Sequence, residues 1–271
     1  MAMTDPSTSP KNAAFTMHQQ QFICGIDNPL YEKFWNRVNR GQWEPETLQT
    51  FDTCLNENMV TVDIGAWIGP TTLYASRKCR KVYAFEPDAV AFAELKKNVA
   101  NNNIENVELF NLAIDFQKSD RCLYKKTAFG DSMSSFIDVA GAAEFQKISS
   151  DRLDNLVAAD VLAGDVFYKI DIEGYEYDLM PKLAYLFNNK KCILYLSVHP
   201  MILAGVAKGN RLLRSWNTAK KTLALRKALP FDQCSRSNIQ LFYDIFMGVL
   251  FRRHWKLDNM SLLLSHGRGG R

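Results

Sequence analysis

From residue 60 onward the chain alternates short β-branched apolar runs with stretches of helical periodicity. Val60, Val62 and Ile64 make the first run, as expected of a strand covered on both faces. It leads through Asp63, Gly65 and Gly69 into a helix predicted over 71–80, with Pro70 suited to the first turn. Residues 81–86 give a second strand ending at Glu86, Asp88 caps a helix reaching about Asn101, and 107–114 form a third strand. Such strand–helix repeats predict a mostly parallel central sheet with helices on both faces. Residues 166–174 continue as a fourth strand, followed by a helix to Leu186, and 192–200 as a fifth. Between the third and fourth strands the rhythm breaks. There 121–126 alternates like a strand, 127–135 is a Gly/Ser turn and Phe136 opens another extended piece, which reads as an inserted β-hairpin near a ligand site.

Residues 1–21 are rich in Ser, Thr, Pro, Asn and Gln and are expected to be a disordered tail. Tyr31, Phe34, Trp35 and Val38 have helical spacing, and a second helix over 46–55 puts Leu48 and Phe51 on one face. Residues 22–57 are therefore expected to be a helical cap on a domain spanning 58–271. Trp43 and Glu44, in the loop between these helices, read as an aromatic anchor beside a first-turn acid, with a functional lid as the weaker alternative. After the fifth strand, 208–227 predicts a basic amphipathic helix with Leu212, Trp216, Ala219 and Leu223 turned to the core.

Composition sharpens this picture at three points. With 271 residues and 47% hydrophobic content the chain can bury one sizeable core. Its net charge of +4 is uneven: thirteen Lys/Arg against three Asp after residue 200 leave +10 there, hence −6 before it. That basic third could face an anionic acceptor, a nucleic acid or a membrane surface, but a solvated basic helix face is the commoner case and the preferred reading. Six scattered cysteines without C-x-x-C pairs read as buried thiols of a reducing compartment, neither a zinc site nor a disulfide framework. No apolar run reaches the ~18 residues of a membrane span, the stretch 239–251 being shorter and carrying Asp244. A cytoplasmic protein with no membrane span is the expectation.

A strand, a glycine-bearing turn and a helix start make a nucleotide pocket, but the spacing G-x-x-x-G is neither the dinucleotide fingerprint nor a phosphate-gripping P-loop. Glu86, an acid at the end of the second strand some twenty residues past the first glycine, is placed to accept hydrogen bonds from ribose hydroxyls. Lys169, Asp171 and Glu173 alternate along a strand that ought to be apolar, and His199 ends its neighbour on the same edge. Charges there are costly unless they meet each other or a ligand, so they are candidate chemistry, with a Lys169–Asp171 ion pair as the structural alternative. A nicotinamide-dependent (NAD) oxidoreductase and a non-catalytic cofactor-binding module share these features.

The blocks V-D-I-G-A-W-I-G-P-T-T (62–72), Y-A-F-E-P (83–87), Leu95-x-x-Asn98, Ser134-Ser135, L-D-N-L (153–156) and above all K-I-D-I-E-G-Y-E (169–176) carry a resemblance. Together they resemble the FkbM-type family of S-adenosylmethionine-dependent methyltransferases, over about residues 42–200. The resemblance implies a Rossmann-like class I methyltransferase fold. It implies S-adenosylmethionine held by Asp63, Gly65, Ala66, Gly69, Thr71 and Asp171, with Glu86 on the ribose and Ala113 beside the adenine. The implied reaction is O-methylation of a hydroxyl on a sugar, glycan, glycolipid or related natural product; DNA adenine methylation is a poor fit because no N-P-P-Y-type motif occurs. His199, Asp171 or Glu173 would serve as general base, with Lys169 beside them. A divalent metal held by Asp171, Glu173 and His199 is the weaker alternative.

Overall fold

The computed structural model describes residues 11–124, 128–132, 134–136, 145–251 and 260–266. The chain opens with a hairpin of β1 (Asn12–Met17) and β2 (Gln20–Gly25), then α1 (Pro29–Asn39) and α2 (Pro45–Cys54). The strand–helix repeats follow as β3 (Val60–Ile64), α3 (Pro70–Ser76), β4 (Lys81–Phe85), α4 (Ala89–Asn101) and β5 (Val107–Phe110). Next come β6 (Ala113–Ile114), β7 (Ser119–Tyr124), β8 (Phe145–Asp151) and the short turns α5 (Leu153–Leu156) and α6 (Ala159–Leu162). The chain closes with β9 (Val166–Ile170), α7 (Glu176–Leu183), β10 (Ile193–Val198), α8 (Pro200–Val206), α9 (Arg211–Ala228), β11 (Gln233–Cys234), α10 (Asn238–Leu250) and β12 (Met260–Ser265).

Seven strands form the central sheet in the order β11-β12-β10-β9-β3-β4-β5. β3, β4, β5, β9 and β10 are parallel, and β12 runs antiparallel to both its neighbours. Order reverses between β3 and β9, so the loops leaving the carboxyl ends of these two strands face each other across a crevice, the usual ligand position in open α/β sheets. Every residue of β3 and β9 is buried, which is why both are mainly apolar, broken only by Thr61, Asp63 and Lys169. The expected hairpin is present as β7 and β8, antiparallel from Ser119↔Ser150 to Tyr124↔Phe145, with β6 added alongside; its second strand starts at Phe145, and the extended piece expected after Phe136 falls on 137–144, outside the described residues.

Two cores flank the sheet. On one face Val62, Tyr168 and Leu196 pack with Leu179, Ala219 and Ile245 of α7, α9 and α10. On the other, Phe167 and Tyr195 meet Phe51 of α2 at ring separations of 5.1 and 6.2 Å, within a cluster that includes Phe15, Trp35 and Leu73. The N-terminal helices therefore share one of the two cores with the sheet.

Four expectations change. The stretch read as a tail contains β1, because Phe15, Met17, Phe22 and Cys24 alternate inward around a turn at His18 and bury against the domain. Asn98 and Asn102 of α4 accept the N–H groups of Gly25 and Ile23, fixing β2 in place. The third strand breaks at Asn111-Leu112, and Ala113-Ile114 joins the inserted sheet. The fourth strand stops at Ile170, so Asp171 and Glu173 lie on a turn. α9 buries Ala219 as predicted, but Ser215, Thr218, Thr222 and Leu225 complete its inner face while Leu212 and Trp216 are exposed. Small and hydroxyl side chains let α9 lie close to α7 and α10, a packing choice that hydrophobicity alone does not encode.

Candidate active site

At the carboxyl end of β3 the chain turns through two glycines for different steric reasons. Gly65 has φ +81°, and a Cβ there would stand 1.8 Å from the carbonyl oxygen of Asp171, so the loops after β3 and β9 touch backbone to backbone. Gly69 has φ +98° and a Cβ would meet Leu95 Cδ1 at 2.6 Å, which lets α3 start directly over α4. Leu95 and Asn98 are thus scaffold: Asn98 also donates to Ile68 O at 2.9 Å.

Asp63 is fully buried and lines neither cleft described below. One of its oxygens accepts from the Thr71 and Thr72 hydroxyls at 2.7 Å each, and the other lies 3.1 Å from Lys169 Nζ. Lys169 also donates to Gly65 O at 2.6 Å, so its partner is Asp63 and the turn itself, where the sequence suggested Asp171. Burial works to lower the Lys169 pKa, but the Asp63 and Asp171 carboxylates outweigh it and hold it raised. Asp63, Thr71 and Lys169 therefore brace the glycine loop.

Beside this brace a cleft of about 630 Å³ is lined by Gly65, Trp67, Glu86, Ala113, Phe136 and Tyr175, among others. Glu86 accepts from Trp67 N at Oε2 and from Asp88 N at Oε1, both at 2.8 Å. Burial dominates those two bonds and pushes its carboxyl up to about 7. Its fixed carboxylate faces a largely apolar slot closed by Leu112, Ala113 and Phe136. Residues 131, 132 and 134–136 border the slot: Gly130 N donates to Asp88 Oδ2 at 2.7 Å, and Ser135 Oγ donates to Glu173 O at 2.6 Å.

A second, more polar cleft of about 940 Å³ adjoins the first and shares Gly65, Trp67, Ser132, Asp171 and Glu173 with it. Ala66, Thr71, Lys169 and His199 line its floor, whereas Phe34, Arg37, Trp43 and Glu44 of the N-terminal segment wall it. Three of its residues hold positive φ without being glycine: Glu44 at 35°, Trp67 at 51° and Glu173 at 49°. Such strain concentrates at functional sites. Trp67 is fixed by Nε1 donating to Gly130 O at 2.9 Å and by edge contact with Phe34 at 4.5 Å. Burial, with Asp171 nearby, raises the Glu44 pKa.

His199 sits among three carboxylates. Glu176, fully buried, has Oε1 3.2 Å from His199 Nδ1 and also accepts the His199 backbone N–H at 2.7 Å. On the other side Nε2 lies 3.4 Å from Asp171 Oδ1 and 3.6 Å from Glu173 Oε1. Burial alone would lower its pKa, but Glu176, Asp171 and Glu173 raise it to about 10. The surrounding carboxylates favour the protonated ring, which works against His199 as a proton acceptor. One ligand atom from each of Asp171, Glu173 and His199 falls within 4.8 Å of the others, but a metal there would first have to displace the Nε2 proton.

The structure thus brings Gly65, Glu86, Ala113, Asp171, Glu173 and His199 around two joined clefts and leaves Asp63 and Gly69 behind them. Sequence reasoning left out Phe34, Trp67 and Glu176 as candidate site residues and weighed Glu44 only as a lid. Trp67, inside V-D-I-G-A-W-I-G-P-T-T, Glu176, inside K-I-D-I-E-G-Y-E, and Trp43-Glu44, beside Pro45, left a signal; Phe34 left only its helical spacing.

The switch-point crevice, the glycine turn and the strand-end acid define a nucleotide-binding protein of the doubly wound α/β class. The family described as the methyltransferase FkbM domain matches residues 63–202, more than half of the chain, and the protein belongs to that family. Its fold is accordingly the Rossmann-like class I methyltransferase fold. A segment of 70 residues is 33% identical to the probable ribosomal RNA small subunit methyltransferase A of Methanosphaera stadtmanae, over 25% of this chain and 26% of that protein. The chain therefore spans about a quarter of that relative's length. Among solved structures it is similar to methyltransferase FkbM from Methylobacillus flagellatus KT, at 15% identity and TM-score 0.44, over 88% of this chain and 55% of that one. It is also similar to an rRNA methylase from Streptococcus thermophilus, at 12% identity and TM-score 0.41, over 81% of this chain and 92% of that one.

Proposed function

We propose that the protein is an S-adenosylmethionine-dependent O-methyltransferase acting on a hydroxyl of a sugar, glycan, glycolipid or related natural product. The observation that carries this reading is the junction of the two clefts at Gly65, Trp67, Asp171 and Glu173. One cleft offers a strand-end carboxylate beside an apolar slot, which fits a ribose and an adenine. The other offers aromatic walls and several carboxylates, which fit the apolar faces and many hydroxyls of a carbohydrate. When bound, S-adenosylmethionine supplies an electrophilic methyl group.

The chain's own residues have separate tasks. Glu86, held by the N–H groups of Trp67 and Asp88, keeps free lone pairs for two ribose hydroxyls. Ala113, Leu112 and Phe136 exclude water from the base. Asp171 or Glu173 takes the proton of the acceptor hydroxyl, and the His199 imidazolium between them holds their charges in place. Alignment in the shared region supplies most of the rate enhancement. Phe34, Trp43 and Glu44 hold the acceptor, so the N-terminal segment completes the site.

Calorimetry with S-adenosylmethionine and with NAD, followed by a methyl-transfer assay on a panel of glycans, tests the reading. Binding of the first without the second, with methyl appearing on a glycan oxygen, is expected. Tight binding of NAD alone would sink it, and cofactor binding with no transfer to any acceptor would leave a binding module in its place.

A further inference from the structure

The α9–α10 pair exposes an apolar face that the proposed reaction does not use. α10 is apolar on two sides: Leu241, Ile245 and Val249 are buried, while Ile239 and Tyr243 on the opposite side are 84% and 58% exposed. A helix with that composition is ordinarily surrounded. The stripe continues across to α9, where Trp216 is 49% and Leu212 58% exposed, and Trp216 meets Phe242 and Phe246 edge-on at 5.1 and 6.2 Å.

The charge around this face has one sign. No Asp or Glu occurs between residues 201 and 231, so Arg211, Arg214, Lys220 and Lys221 of α9 are uncompensated along the chain. The acid on α10, Asp244, is paired with Arg236 at 2.7 Å. Met260 of β12 pairs with Val198, next to His199, at the carboxyl edge of the sheet. Tyr177, in the first turn of α7 at that edge, shares a hydrogen bond of 3.0 Å with Thr222 of α9.

We infer that the α9–α10 face is a peripheral docking surface for an anionic lipid bilayer. Aromatic and aliphatic side chains bordered by Lys and Arg match the chemistry of a bilayer interface, apolar toward the acyl boundary and cationic toward acidic headgroups. Two copies of the face would bring like charges together, which disfavours a symmetric dimer. A nucleic acid would satisfy the cations but leave Ile239 and Leu212 in water. No helix among the described residues is long and apolar enough to cross a membrane, so the contact is at the surface.

The test is flotation of the full chain with vesicles of phosphatidylcholine, and of phosphatidylcholine mixed with phosphatidylglycerol, at low and high ionic strength. Binding to the acidic vesicles that weakens with salt is expected. Ile239→Ser with Tyr243→Ser, and separately Arg211→Gln with Lys220→Gln, should each weaken it roughly tenfold or more. Circular dichroism and S-adenosylmethionine affinity should match the parent, and binding to lipid is expected whether or not any acceptor is methylated. Absence of vesicle binding, equal binding to neutral vesicles, or binding unchanged in both variants overturns the inference. A dimer in light scattering that Ile239→Ser with Tyr243→Ser converts to monomer assigns the face to a second copy and overturns it too.

Discussion

The carbonyl oxygen of Asp171 occupies the place where a side chain on Gly65 would point, 1.8 Å from the position of a Cβ there. The loop after β3 and the loop after β9 are thereby locked to each other, and the shared region of both clefts takes its shape from that contact. Gly65→Ala has to move the backbone, because the obstacle is a carbonyl and because φ +81° is unfavourable for alanine. We expect a loss of about 2 kcal/mol or more in urea unfolding, together with weaker cofactor binding. Unchanged stability would show that the two loops are not coupled in solution.

Glu86→Ala should raise the dissociation constant for S-adenosylmethionine by roughly tenfold to a hundredfold, the cost of about 1.5–3 kcal/mol for hydrogen bonds to a charged group. The pH dependence has a definite sign. Burial sets the Glu86 carboxyl at about 7 in the free protein, so it is ionised above that pH and protonated below it. Ribose hydroxyls donate best to the carboxylate, so affinity should fall as pH drops below about 7. Calorimetry across this range in parent and Glu86→Ala checks it; a pH-independent affinity in the parent removes Glu86 from the ribose.

His199 should remain protonated across neutral pH. Its folded pKa of about 10 lies above the ordinary 6.5, so the ion pairs it makes contribute stability fully below pH 6.5 and lose it as pH rises through about 10. Glu176→Gln removes the first-named stabilising partner and should bring the ring's titration down toward the neutral range, read by NMR of the imidazole carbons. A ring that already titrates between pH 6 and 7 in the parent would return His199 to the role of general base.

Asp171→Asn and Glu173→Gln should abolish methyl transfer while shifting the melting temperature little, since both carboxylates lie on a partly exposed turn at the cleft. Strong destabilisation with transfer retained per folded molecule would make them structural. Phe51→Ala, by contrast, removes a buried ring from between Phe167 and Tyr195 and should cost about 3–5 kcal/mol. A loss below about 1 kcal/mol would mean that the N-terminal helices sit on the sheet without sharing its core.

What the sequence by itself determined is the parallel framework and the polar points on its edge. Runs such as Val60–Ile64 and Val166–Ile170 are apolar at nearly every position because helices cover both faces, and that requirement is written in each strand alone. Glu86 was legible for the same reason, as an acid that ends such a run. What only the tertiary structure decided is what each polar group meets. Asp63, placed by sequence beside a cofactor, spends its carboxylate on Thr71, Thr72 and Lys169; His199, placed as a base, is held protonated by Glu176, twenty-three residues away. Neither outcome could be read locally, because a pKa and a hydrogen bond depend on neighbours that the fold brings from other loops. Leu212 and Trp216 show the same limit in packing. Their helical spacing fixed that they share a face of α9, but small residues on another face lie closer to α7 and α10 and take the core instead.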